Sequence, residues 1–273
     1  MKILYDHVGQ TCNRLWALLP TIYKNLHSDS KIYVLFSDPE FHNFKNLCVC
    51  GNVHYIFDTY RINNSLIRNI LNKVLSLLFY NLVSRKLYKI VNYIFPNNFI
   101  NGWDTIGGFN AKINDVDISL LRKIYTPNES ICKRCKSLFD IKHIDYDIIV
   151  GVHIRRGDYV SYLNGKYYYS FEDYFRCMRR VVDIFSQKRI AFFISTNDAN
   201  FILPEDLNCF VCPNRMVVDD WYCLSICDYL IGPPSSFSRL ASFIGGVPMY
   251  LIKKISDEIK SKDFAVNMNY LSE

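Results

Sequence analysis

Hydrophobic and polar positions along this chain fall into blocks whose period changes. Residues 2–5 (KILY), 31–36 (KIYVLF) and 53–57 (VHYIF) are apolar runs of strand length, the second ending at Ser37-Asp38-Pro39. Between the first two, residues 13–27 (NRLWALLPTIYKNLH) place apolar side chains at 15, 18, 19, 22 and 26, the spacing of one helix face. The N-terminal part therefore reads as β-α-β. The second half has a clearer rhythm: strand 147–154 (DIIVGVHI), helix 170–187, strand 189–195, strand 215–219 (RMVVD), helix 221–227, strand 229–232, helix 235–245 and strand 247–252. Its strands are continuously apolar rather than alternating, which predicts a parallel sheet covered by helices on both faces. In such sheets ligands bind beyond the carboxyl ends of the strands.

Two stretches do not fit this rhythm. Residues 65–95 are apolar and basic with no acidic residue, and their longest charge-free run, 74–84, is shorter than the roughly 20 residues of a membrane-spanning helix. Two readings stand: a helical pair buried by simple core packing, or a surface that sits on anionic lipid. Residues 101–110 (NGWDTIGGFN) are loop-like, 115–117 (DVD) read as a surface turn, and 129–143 read as a helix leading out of a first domain.

With 273 residues the chain is long enough for two compact units, placed here at 1–145 and 146–255, with 256–273 as a C-terminal segment packing back on the first. Half of the residues are hydrophobic and 21% are charged, which excludes a disordered chain. The net charge of +6 suits an anionic substrate or membrane surface, but without a basic groove it is no nucleic-acid signature. Ten cysteines include the C-x-x-C pairs Cys132/Cys135 and Cys209/Cys212, yet these pairs lie far apart along the chain. They are read as buried thiols ahead of zinc ligands, with no metal site assigned. The N-terminus starts at once with a strand and carries no secretory pattern, so a cytoplasmic protein with reduced cysteines is the expectation.

Candidate chemistry gathers at three strand ends. Strand 147–154 runs into His153, Ile154, Arg155, Arg156, Gly157 and Asp158. Strand alternation puts His153 and Arg155 on one face and Arg156 on the other, so one arginine can meet an anion while its neighbour is packed and paired, with Asp158 as a partner. A planar guanidinium suits phosphate, although a structural Arg-Asp pair has the same spelling. The next strand ends in Ser195-Thr196-Asn197-Asp198, where Asp198 can accept two hydrogen bonds from a guanine edge or simply cap a helix. The third end, residues 228–239 (DYLIGPPSSFSR), is a strand, a Pro-Pro turn and a helix starting at Ser235 and Ser236, which together form an anion site.

These three stretches, in this order, resemble the GDP-fucose-dependent fucosyltransferases, closest in motif to the α1,2-fucosyltransferases of glycosyltransferase family 11. HIRRGD (153–158) matches that superfamily's His-x-Arg-Arg-Gly/Thr-Asp motif, and STND (195–198) is similar to a Thr-Asp-Asp segment of the α1,6 enzymes. An N-terminal Gly-x-Gly-Asn-Gln loop is only partly kept in HVGQTCNRLWAL (7–18), which retains Asn13 but has a cysteine at the second glycine. The resemblance implies a GT-B-like α/β fold of two Rossmann-like domains facing a central cleft. It implies inverting, metal-independent fucose transfer from GDP-fucose to a glycan acceptor, without a cofactor, in surface polysaccharide or lipooligosaccharide assembly. By that resemblance Arg155 neutralises the departing diphosphate, His153 contacts the nucleotide, Asp198 binds guanine, Ser235 and Ser236 lie at the phosphates, and Arg156 and Asp158 support them. Candidates for the base are Asp6 and His7, at the end of the first strand, with Asp158 as the alternative. A cytoplasmic enzyme with the 65–95 segment further suggests a lipid-linked acceptor at the inner membrane face. A rival, an adhesion module using Arg156-Gly157-Asp158, needs an exposed loop on an exported protein.

Overall fold

The computed structural model describes residues 2–4, 9–36, 39–75, 93, 99–100, 105, 112–214 and 216–266. Two compact units divide the chain, Met1–Asn128 together with Asn269–Glu273, and Glu129–Met268.

The first unit has a four-stranded parallel sheet in the order β3-β2-β1-β4, from β1 (Lys2–Leu4), β2 (Ile32–Phe36), β3 (Val53–Phe57) and β4 (Phe99–Ile100). Helix α1 (Thr11–Lys24) is buried along Leu15 to Ile22 on all sides rather than along one stripe, and Tyr125 fixes it by donating its hydroxyl to Leu15 O at 2.8 Å. After α2 (Lys45–Val49), helix α3 (Ser65–Leu75) leaves Leu66, Ile67, Ile70, Leu71 and Val74 exposed, so this part of 65–95 does not pack as core. The remainder of that segment, and all of 101–110 except Thr105, lie outside the described residues. The DVD triplet is not a surface turn: it opens α4 (Asp115–Ile124), where Asn114 caps Asp117 N at 2.9 Å and the buried Asp117 meets His27 at 2.8 Å. Acidic residues in a first helical turn are favoured by the helix dipole, a context that the three-letter pattern alone hides.

The second unit is a six-stranded sheet in the order β10-β9-β8-β5-β6-β7, parallel except for β10. Its strands are β5 (Ile148–Ile154), β6 (Ile190–Thr196), β7 (Cys209–Phe210), β8 (Tyr229–Gly232), β9 (Pro248–Leu251) and β10 (Ala265–Val266). Val150, Val152 and Ile154 of β5 face a core with Tyr174, Met178 and Val181 of α6 (Phe171–Ile184). The opposite face is covered by α5 (Glu129–Asp145), α7 (Val217–Ser225) and α8 (Ser236–Gly245); Phe139 of α5 lies 5.8 Å from Phe193 of β6, ring to ring. Two helical layers on a parallel sheet are what the continuous apolar strands require.

Three details differ from the sequence reading. Helix α5, assigned there to the end of the first domain, packs in the second unit, and β10 ties residues 265–266 of the C-terminal segment to β9. Residues 217–219, read as a strand from their valines, open α7 instead. Asp219 and Asp220 sit in its first turn, and Val218, Trp221, Tyr222 and Leu224 bury its apolar side. Packing outweighs the β-propensity of two adjacent valines. Gly245 lets α8 approach α7: a Cβ there would stand 2.0 Å from Ser225 O, a backbone atom that cannot yield. Gly245→Ala is expected to lower stability by about 2–3 kcal/mol, read as a lower urea midpoint at unchanged slope.

Candidate active site

The chain runs from β5 outward through β6 to β7, then returns to β8 on the other flank of β5, so the strand order reverses between β5 and β8. A crevice at such a reversal is where open α/β sheets bind ligands. His153, Arg155, Ser235 and Ser236 all stand at this place, and Asp198 follows β6 on the neighbouring flank.

His153 is 4% exposed, its Nδ1 3.2 Å from Ser238 Oγ and its ring 5.0 Å from that of Phe237. It therefore seats the first turn of α8. Burial, with the Arg155 charge beside it, pushes its imidazole down from 6.5 to about 3, so it is neutral at physiological pH. The unfolded chain takes up this proton near pH 6.5 and the folded chain only near 3. Stability from His153 is thus intact above that window and is lost as pH falls through it, at about 1.4 kcal/mol per pH unit. Urea unfolding of His153→Asn at stepped acidic pH should show a shallower loss than wild type.

Ser235 is the N-cap of α8, its Oγ accepting from Phe237 N at 3.3 Å, and the helix dipole places partial positive charge at this end. Tyr159 closes over the turn by donating its hydroxyl to Pro234 O, and burial pushes that phenol up to about 12.

The two arginines diverge, as strand alternation requires, but their carboxylate partners are the reverse of the sequence expectation. Arg155 pairs with Asp158, Nη2 to carboxylate 2.8 Å, while its guanidinium lies 5.7 Å from the Tyr159 ring. Arg156 pairs instead with Asp198, Nε to Oδ2 at 2.9 Å, donates to Tyr169 O and to the Tyr168 hydroxyl, and stacks on Tyr168 and Phe171. A two-residue separation suggested Arg156–Asp158; the fold selects a partner 42 residues away. Asp198 holds a second donor as well, Asn200 N on Oδ1 at 3.0 Å. Asn197 accepts from Arg156 N at 3.0 Å and lies close over Gly157, where a Cβ would meet its Nδ2 at 2.5 Å and displace that amide.

In the first unit Asn13 lies on α1 with its side chain over Gly9, whose φ of +47° is the left-handed conformation that glycine adopts without cost. Asp6 and His7 lie outside the described residues. Asn197 and Phe237 stand at the strand end and helix start where the sequence placed them, whereas Ser238 and Tyr159 were not singled out. The tyrosine-rich run 159–169 directly after HIRRGD was the available signal for an aromatic wall beside the arginines.

No protein-family model matches this sequence, and no curated protein matches it. Solved structures do. The fucosyltransferase NodZ from Bradyrhizobium is 16% identical at a TM-score of 0.50, covering 92% of this chain and 94% of that one. A mutant of Arabidopsis thaliana FUT1 in complex with GDP is 11% identical at 0.53, covering 98% and 74%. POFUT1 in complex with GDP is 10% identical at 0.51, covering 91% and 96%. The chain shares the GT-B-like α/β fold of these fucosyltransferases.

Proposed function

We propose that this protein is an inverting fucosyltransferase that moves fucose from GDP-β-L-fucose to a hydroxyl of a glycan acceptor. The observation that carries the reading is the joint placement of Arg155 and the Ser235-capped start of α8 at the strand-order reversal between β5 and β8. The GDP complexes of the structural neighbours FUT1 and POFUT1 support it.

In the proposed reaction the acceptor oxygen forms a bond to C1 of fucose as the C1–O bond to the β-phosphate breaks, and β-linked donor gives α-linked product. The leaving diphosphate gains charge, and Arg155 together with the positive end of α8 stabilises it, so a divalent metal is not required. Arg155 exchanges the half-exposed Asp158 for phosphate when donor binds. His153, neutral and packed against Ser238, holds the first turn of α8 in place. Arg156 fixes Asp198, which receives guanine on the carboxylate lone pairs left by its two protein donors. The acceptor proton passes to Asp6 or His7, or to Asp158 once Arg155 has released it.

The finer proposal is an α1,2 linkage, resting on the family 11 motif, in surface polysaccharide or lipooligosaccharide assembly by a cytoplasmic enzyme. Helix α3, with Arg68 and Lys73 among its exposed apolar residues, supports peripheral contact with an anionic inner membrane face and a lipid-linked acceptor. Flotation with anionic vesicles should enrich the protein over neutral vesicles, and equal recovery would argue against the contact. The function is tested by turnover of GDP-fucose against a glycan acceptor array, with the product linkage read by NMR. An α-fucosylated product whose yield does not rise with added Mg²⁺ or Mn²⁺ is expected. Transfer from another nucleotide sugar in preference to GDP-fucose would replace this reading with the alternative of a different GT-B glycosyltransferase.

A further inference from the structure

We propose that Cys135, Cys212 and Cys223 form a buried thiolate site for a soft d10 cation, zinc in the first instance. The three belong to separate stretches of the second unit: α5, the segment after β7, and α7. Their Sγ atoms all lie within 4.8 Å of one another. Tetrahedral zinc, with Zn–S near 2.3 Å, needs its sulfurs about 3.8 Å apart, a distance within reach of small side-chain adjustments here. Exposure is 1%, 3% and 0% in residue order, the water-excluded setting of a structural site. Scattered thiols pack as small hydrophobes one at a time; convergence of three sulfurs from three segments at a single point is a ligand geometry.

The surroundings fit the charge. Binding Zn²⁺ releases three thiol protons to solvent and leaves a trithiolate complex of net −1. Arg134 lies close enough to interact with Cys135 and Cys212, and it is anchored by one guanidinium edge, Nε and Nη2, on the buried Asp219. In the metal-free thiol the carbonyl of Asp219 accepts from Cys135 Sγ at 3.8 Å, a bond that zinc binding would replace, while the Asp219 carboxylate keeps the neighbouring cation in place. The site would staple α5 to α7 and to the edge of the sheet, apart from the reacting groups. Thiolate ligands select zinc or Cu(I) over magnesium or calcium.

The test is the metal content of the wild-type chain, purified without chelator and measured by inductively coupled plasma mass spectrometry. About one zinc per chain is expected, lost in Cys135→Ser, Cys212→Ser and Cys223→Ser but kept in Cys177→Ala, whose thiol is buried elsewhere in the unit. The reduced, metal-stripped wild-type chain should also take up Cd²⁺ with a thiolate charge-transfer band. Less than about a tenth of a zinc per chain together with no cadmium band would overturn the site. So would intact mass after alkylation showing two of the three sulfurs joined as a disulfide. Neither wild-type readout depends on catalysis, so the metal site and the fucosyltransferase reading stand or fall separately.

Discussion

Arg155→Ala should lower kcat/KM for GDP-fucose by about 10²- to 10³-fold, the usual loss when one group stabilising a developing anion is removed, while the fold stays intact. The two halves of this expectation have separate grounds. Arg155 stands at the strand-order reversal with its side chain 15% exposed, reachable by a ligand yet held by surrounding groups. Its carboxylate partner Asp158 is half exposed, and an ion pair so open to water contributes at most about 1 kcal/mol. Stability should therefore move by less than that amount, measured by urea unfolding. Arg155→Lys keeps the charge but loses the planar fork, and an intermediate loss of about tenfold is expected.

The adjacent arginine should behave in the opposite way. Arg156→Ala is expected to cost about 2–4 kcal/mol of stability, because the largely buried guanidinium joins a carboxylate, a backbone carbonyl, a hydroxyl and two ring faces at one point. Arg156 and Asp198 are each 17% exposed at the side chain, and the guanidinium also serves Tyr169 O, the Tyr168 hydroxyl and the faces of two rings. Removing it takes this donor from the Tyr169 carbonyl and leaves the shielded Asp198 carboxylate with Asn200 N but without its counter-charge. A double-mutant cycle of Arg156→Ala with Asp198→Ala should return a coupling of about 1–3 kcal/mol. The same cycle between Arg155 and Asp158 should return under about 1 kcal/mol. Two neighbouring arginines would then be separated by experiment into a ligand group and a structural group.

The divergence of the two side chains was legible in the sequence because it depends only on the period of a strand, and β5 runs to Ile154 with His153 on the α8 side as alternation demands. The start of α8 was legible for a similar reason: a Pro-Pro turn followed by serines is a local signal, and Ser235 is the cap. What stayed hidden is set by distance in space. Which aspartate each arginine holds depends on the turn after β6 coming beside that after β5, which no spacing within HIRRGD encodes. The cysteines were judged by separation along the chain, whereas α5, α7 and the segment after β7 converge on one face of the sheet and bring three sulfurs together. Local propensity also misread residues 217–219, where two valines favoured a strand and the buried side of α7 imposed a helix. The assignment of α5 to the second unit follows from Phe139 packing against Phe193 and Phe210, contacts between residues more than fifty positions apart.

Calorimetric titration of the purified chain with GDP-fucose, GDP-mannose and UDP-sugars bears most directly on the proposed donor site between β5 and β8. Saturable one-to-one binding of GDP-fucose is expected, tighter than that of GDP-mannose, undetectable for the UDP-sugars and strongly weakened in Arg155→Ala. Absence of binding by any guanosine diphosphate ligand to the folded wild-type chain would contradict it.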